Sequence, residues 1–542
     1  MFQPFDKIAI SLSGGGYRAS TFHLGALSYL EHVQYEGRPL LHNVKIISTI
    51  SGGTFTGVGY VLALALAEEG KKDEAFKSCF EKLYGLFKDD QLVVEAMAMI
   101  NNTKTWEAQE KNKNVINAFS EIYQAKFCDN HHLSDLLRKS EGHLGHLEEF
   151  CFNATDLYDS IPFRFQKTGM FGNGKRSMSL DDAYEIRLGD IMAASSCFPG
   201  GFEPMAFPKD FIKEKDSELD LAWKKKVADN NYPENIALMD GGILDNQGIE
   251  SIELANNRRI KEGKELDTYI ISDVSLRNPA PFTFPAAKKA GLLGNLTYRS
   301  MVALLLTSTA LAILGTWYWW DASRLLLILS ALLGTFSALS LFAIYKIQKA
   351  LDNVVTKTVD EPSETPAILQ NLDIVKKTPI YLLKYLVLTR FVSLSDIIEN
   401  TFMARIRSLQ LKYIYDSPSW EHKLISNNIY SLFTDYTEVE KFGIPAPSEQ
   451  VLAMVELTAT MPTSLWFTQK ETEEAMLDKL IVSGQINLCF QLLRYLYEEA
   501  DAFPDDQKKP LEALRKSIME DYKKFNAKDN EYWLLKEYRP GV

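Results

Sequence analysis

The sequence predicts an α/β fold with a largely parallel central sheet, interrupted by a two-helix transmembrane hairpin and followed by a mainly helical C-terminal part. Two observations carry this. Short apolar strands alternate with helical runs through the first half of the chain. Two uncharged apolar runs, each of about 20 residues, then lie back to back in the middle.

The alternation starts at residues 7–11 (KIAIS), a short strand running into SGGG. Residues 21–33 have helical periodicity, 44–50 form a second strand ending at SGG, and 54–69 are again helical. Residues 150–153 and 268–273 (TYIISD) read as further strands. Residues 73–113 read as a mostly helical insertion or lid. Beyond the hairpin, 360–366 (DEPSETP) is a linker, and a polar helix is expected near 507–525.

Residues 301–320 carry no charge, and neither do 325–345. Each run matches a bilayer core of about 30 Å as a helix. Only four residues, 321–324, separate them, so the second helix must turn straight back. Lys288, Lys289 and Arg299 precede the pair, and Lys346, Lys349 and Lys357 follow it. The positive-inside rule then places both ends in the cytoplasm, with Trp317, Trp319 and Trp320 in the far interface. A buried hairpin in a soluble core is the competing reading.

The formal charge is -12 and no long basic run occurs, which argues against nucleic acid as the ligand. The five cysteines are scattered, with no CxxC or Cys/His metal spacing, and read as reduced thiols. The N-terminus lacks the apolar stretch of a signal peptide, so the bulk of the chain is expected in the cytoplasm.

Three motifs bear on chemistry. In SGGGYR, Gly14, Gly15 and Gly16 lie between a strand and a helix. Such a loop serves a tight turn, a phosphate site or an oxyanion hole, because successive N–H groups can point into one site. Ser51, in ISGG, follows a strand and precedes a helix, the setting of a nucleophile elbow or of an ordinary N-cap. Thr49 stands where a glycine is usual. Asp240, in DGG, is either a turn residue or a carboxylate placed to act as general base. Of the histidines only His422 follows Asp240, in a polar context, so a Ser51–Asp240 dyad is preferred to a triad.

In this order the motifs resemble those of the patatin-like phospholipase family and its cytosolic phospholipase A2 relatives. The segments FNATDLYDSIPFRF (152–165) and AASSCFPGGFEP (193–204) also resemble that family. So, more weakly, do RIRSLQLKYI (405–414) and 461–484. The resemblance implies a three-layer sandwich and a serine lipid acyl hydrolase of phospholipase A or lysophospholipase type. Ser51 is then nucleophile, Asp240 base, Gly15 and Gly16 oxyanion donors, and Gly14 the shaper of the loop. Arg18 either contacts substrate phosphate or braces the loop. No metal or cofactor is implied.

The expected partner is membrane phospholipid, and a homo-oligomer is compatible with the sequence. Two other readings stay open: a catalytically degenerate membrane scaffold or lipid-binding protein, and a triggered membrane-damaging effector. The motif order divides the chain into a main catalytic part (1–295), the hairpin (300–345), a linker (346–379), helices completing the catalytic domain (380–500) and a helical tail (501–542).

Overall fold

The structure is a computed structural model. It describes residues 2–88, 91–102, 106–107, 110–137, 142–212, 215–230, 232–275, 282–285, 291, 294–357 and 377–539. The expected linker 360–366 lies outside these residues. The chain divides into two units, Met1–Pro279 with Asn400–Val542, and Ala280–Glu399.

In the first unit β1 (Ile8–Leu12) leads into α1 (Gly16–His32), and β2 (Val44–Ile50) into α2 (Gly52–Leu66). Then come β3 (Glu149–Asp156), β4 (Ile161–Gln166), α3 (Leu188–Ser195), β5 (Ile236–Asp240) and β6 (Thr268–Asp273). The ten-stranded sheet runs β7-β6-β1-β2-β3-β4, where β7 is Leu424–Asn428, and two short strands extend it past β4. Pairing is parallel from β7 to β3 and antiparallel at β4.

Alternation along the strands makes three layers, because successive side chains leave a strand on opposite faces. Ile8, Ile10 and Leu12 enter the large core with α1 and α2. Ala9, Tyr269 and Ile271 enter a smaller core with Ile252, Ile414 and Trp420. The fold is the expected α/β sandwich with a mostly parallel sheet and a helical C-terminal part. Helix α1 crosses the long helix Met476–Glu498 backbone against backbone: a Cβ at Gly25 would collide with the Ile481 carbonyl, and one at Gly484 with that of Phe22.

Two strands escape the sequence pattern. The β4 segment was met only as part of a motif, and β7 lies where helices were expected. Its sequence LISNN is half polar and sits on the sheet edge, so it lacks the apolar run of a central strand.

The second unit holds α4 (Tyr298–Tyr318) and α5 (Arg324–Lys357) packed as a hairpin, and α6 (Ile380–Asp396). The hairpin is inverted in polarity. Ser308 and Ser337 hydrogen-bond to each other between the helices, and Ser337 is buried. A Cβ on Gly315 would fall 3.1 Å from that of Ser330, and one on Gly334 3.1 Å from that of Ala312. Leu and Phe side chains point outward, among them Leu311, Leu332 and Phe336. Helix α6, expected with the catalytic part, joins this unit instead. Its first turn is tied to the segment leading into α4: Ile380 N–H donates to Leu296 C=O (3.0 Å) and Tyr381 N–H to Gly294 C=O (3.1 Å).

Candidate active site

The site is built on one edge of β3. Strand β2 runs parallel along the first part of that edge and ends with Ile50 opposite Asn153. Strand β5 runs antiparallel along the last part and ends with Asp240 opposite Ala154, the next residue. Two strands therefore meet C-terminus to C-terminus. The join brings the Ser51 side chain beside the Asp240 carboxylate, where it favours the charged form.

Ser51 adopts φ 48° and ψ −118°, a region that costs a non-glycine residue of order 1–3 kcal/mol and holds the side chain out on a sharp turn. Its N–H donates to Ser195 Oγ (3.0 Å). Ser195 in turn donates to Asn153 C=O (2.7 Å), so its oxygen accepts from Thr54 (2.8 Å), and Thr54 accepts from Thr49 (2.9 Å). Thr49 thus ends a buried relay of hydroxyls that supports the elbow. Its methyl fits because α2 has glycine opposite: a Cβ on Gly57 would collide with Thr49 Cγ2.

Asp240 is also locked. Its Oδ1 accepts from Gly242 N–H (2.7 Å), its N–H donates to Cys197 C=O (2.9 Å) and its C=O accepts from Thr155 Oγ1 (2.9 Å). Burial at 3 % exposure pushes its carboxyl up to about 6, against the bonds from Ser51 and Gly242 that favour the charged form.

The glycine loop packs on the elbow. A Cβ on Gly52 would collide with Gly16 C=O and fall 2.8 Å from Gly16 N, and one on Gly53 would meet the Leu12 carbonyl. Gly14 donates its N–H to Asn246 C=O (3.0 Å), so that group serves the loop rather than a substrate. The N–H groups of Gly15 (φ 142°) and Gly16 (φ 60°) find no acceptor among the described residues. They lie at the N-terminus of α1, where partial positive charge gathers.

This set of strand-end serine, strand-end carboxylate and glycine loop occurs within a stretch that matches a known family. Residues 10–252 match the family model of patatin-like phospholipases. These residues are a patatin-like phospholipase domain. Among solved structures the chain is similar to human GIVD cytosolic phospholipase A2, with 13% identity and a TM-score of 0.32. That match covers 51% of this chain and 46% of the other, so it spans less than half of that protein's length. The chain is also similar to VipD from Legionella pneumophila, with 12% identity and a TM-score of 0.25, over 100% of this chain and 89% of the other. No curated protein matches the chain.

Around the patatin-like site Arg18 is buried, donating to Met461 C=O and to Thr463 Oγ1 (3.2 Å). Desolvation lowers its pKa to about 10, partly offset by Asp273. Its bonds tie the glycine loop to the segment whose Ser464 C=O accepts from Tyr17 N–H (2.8 Å). Of the histidines, His23 is buried behind the loop, and His422 pairs with Glu499 at 2.6 Å. Neither hydrogen-bonds Ser51 or Asp240 among the described residues.

Four supporting residues carried no assigned role in the sequence: Thr54, Asn153, Ser195 and Asn246. Asn153 and Ser195 lie inside the NATD and AASSC segments, whose order was visible but whose bonds to Ser51 were not. Asn246 follows the DGG motif. A Cβ on Gly14 would fall 2.5 Å from its Oδ1, and one on Gly242 2.6 Å from the same atom.

Proposed function

We propose that the chain is a serine lipid acyl hydrolase, of phospholipase A or lysophospholipase type, working through a Ser51–Asp240 dyad and an acyl-enzyme. The single observation that carries this is the meeting of two strand ends that sets Ser51, on its sharp turn, beside a buried carboxylate whose pKa is raised to about 6. A carboxylate of ordinary pKa is a weak base; one near 6 is better matched to neutral pH while still mostly ionised there.

Ser51 Oγ attacks the ester carbonyl carbon as Asp240 takes its proton. The oxyanion that forms is held by the Gly15 and Gly16 N–H groups. Collapse breaks the bond to the alcohol oxygen, which receives the proton from Asp240. Water then gives a proton to Asp240 and attacks the acyl carbon, and the fatty acid leaves as the proton returns to Ser51.

The substrate reading, lipid in the membrane that holds the chain, draws on the hairpin. Two helices meet the length and hydropathy of spans, Tyr298–Tyr318 and Arg324–Lys346. Their small polar residues face each other and their large apolar residues face out, the arrangement suited to lipid. By the positive-inside rule the basic residues at both ends favour the cytoplasmic side for the catalytic unit. Thr49, which stands where a glycine is usual, is accommodated by Gly57 and does not argue for a degenerate scaffold.

The test is labelling by a fluorophosphonate together with lipid mass spectrometry of expressing cells. Wild type is expected to label and to raise lysophospholipid and free fatty acid, and Ser51→Ala to do neither. A folded wild-type protein that neither labels nor changes these lipids would sink the proposal.

A further inference from the structure

Helix α6 presents its apolar residues outward. Helical spacing puts Ile380, Val387, Phe391 and Leu394 on one stripe, flanked by Tyr381 and Leu388. Val387 is 64%, Phe391 59% and Leu394 58% exposed. The opposite side carries Leu382, Tyr385 and Val392 beside Thr389, Ser393 and Asp396, and no residue of the helix is buried. In water so many exposed apolar side chains are unfavourable, because burial favours them.

Two further features say what covers the stripe. The first turn of α6 is hydrogen-bonded to Leu296 and Gly294, directly before the first candidate span, and Thr297 bridges Pro379. The helix therefore starts at the end of the hairpin where both spans begin and finish. Charge supplies the second: residues 377–396 hold Lys377, Lys384 and Arg390 against the single acid Asp396. With Lys384 and Arg390 along its length α6 is too charged for a third span, and it continues without a break into the π-helix Ile397–Met403.

We infer that α6 lies in the headgroup interface of the cytoplasmic leaflet, its Val387–Phe391–Leu394 stripe sunk about 5–10 Å into the acyl boundary. Lys384 and Arg390 reach back to anionic headgroups. The inference rests on reading the hairpin as membrane-spanning. It gives the membrane surface a second hold on the chain. Seven residues past α6, in the first unit, Met403 Cε lies 3.2 Å from where a Cβ on Gly242 would be, beside Asp240.

The test uses the full chain with Ser51→Ala, which leaves the lipid intact, in vesicles of phosphatidylcholine with a minority of phosphatidylglycerol. All five native cysteines are buried. Val387→Cys and Phe391→Cys, each made singly, carry a nitroxide; Leu332→Cys reports the hairpin. Spin relaxation by oxygen and by a water-soluble nickel chelate then gives depth. We expect Leu332 deep in the bilayer, with Val387 and Phe391 reached by oxygen, shielded from nickel and shallower. If Leu332 is deep but Val387 and Phe391 respond to nickel like surface residues, α6 is not interfacial although the hairpin reading stands. Shielding of both from either reagent means that protein covers the stripe, which also overturns the inference. If Leu332 is itself exposed to nickel, the hairpin reading fails and α6 falls with it.

Discussion

Ser51 and Asp240 terminate two strands that meet end to end on a single edge of β3, so consecutive residues of one strand, Asn153 and Ala154, set both positions. A serine and a carboxylate almost 190 residues apart are thereby held by one strand's register. The cost is a carboxylate in a dry site. The folded chain keeps the Asp240 proton up to about 6, whereas the free side chain loses it near 3.8.

Between those values the folded state binds more protons than the unfolded state, so stability falls as pH rises. The shift of about two units corresponds to roughly 3 kcal/mol. Asp240→Asn is therefore expected to be inactive yet to melt higher than wild type near neutral pH, with the gap closing below about pH 4. Calorimetry across pH checks this, and wild-type kcat/KM for a neutral ester should rise through about pH 6. An Asn variant less stable than wild type at neutral pH would show that the bonds to Ser51 and Gly242 outweigh desolvation.

Thr49 and Gly57 are a matched pair. Gly57→Ala is expected to destabilise by about 1–3 kcal/mol through overpacking against Thr49 Cγ2. Adding Thr49→Gly should recover much of that loss, a positive coupling in a double-mutant cycle read by denaturant unfolding. Additive effects would mean that the methyl is not what Gly57 accommodates.

How much of this was legible follows from which interactions are local. The strands at residues 44–50 and 268–273 could be read because each is a short run rich in β-branched and apolar residues, buried on both faces. The hairpin could be read from length and charge alone. Strand β7 could not, since its place is fixed by pairing with Thr268–Asp273 more than 150 residues away. Ser51 and Asp240 stood out through glycines that the close packing needs. Ser195 did not, because a serine in a run of small residues says nothing until its oxygen is seen bridging Ser51 N–H and Asn153 C=O.

Arg18 is expected to act as a brace. Its bonds go to Met461 and Thr463 rather than into open space. Arg18→Lys should therefore lower kcat by the same factor for a phospholipid and for an uncharged nitrophenyl ester, about tenfold if one charge-assisted bond is lost. A loss confined to the phospholipid would instead identify Arg18 as the phosphate contact. Paired kinetics on the two substrates decide it.

His23 sets the acid limit of the fold behind the loop. Asn427 donates to Ser272 Oγ (3.0 Å), which leaves the Ser272 proton for His23 Nδ1 (3.0 Å) and the His23 Nε2 proton for Ser13 C=O (3.0 Å). This assignment needs a neutral ring, and burial lowers its pKa from 6.5 to about 4. Between those values the unfolded chain binds the extra proton, so stability is full above about pH 6.5 and declines as pH falls toward 4. The shift of about 2.5 units corresponds to roughly 3 kcal/mol. His146, half-buried and lowered to about 3, contributes with the same sign. His23→Gln is expected to be less stable than wild type at pH 8 but to lose less on acidification, so that the two unfolding curves converge near pH 4. Parallel curves over that range would mean that His23 does not titrate on unfolding, and the relay from Asn427 to Ser13 would then not depend on its charge.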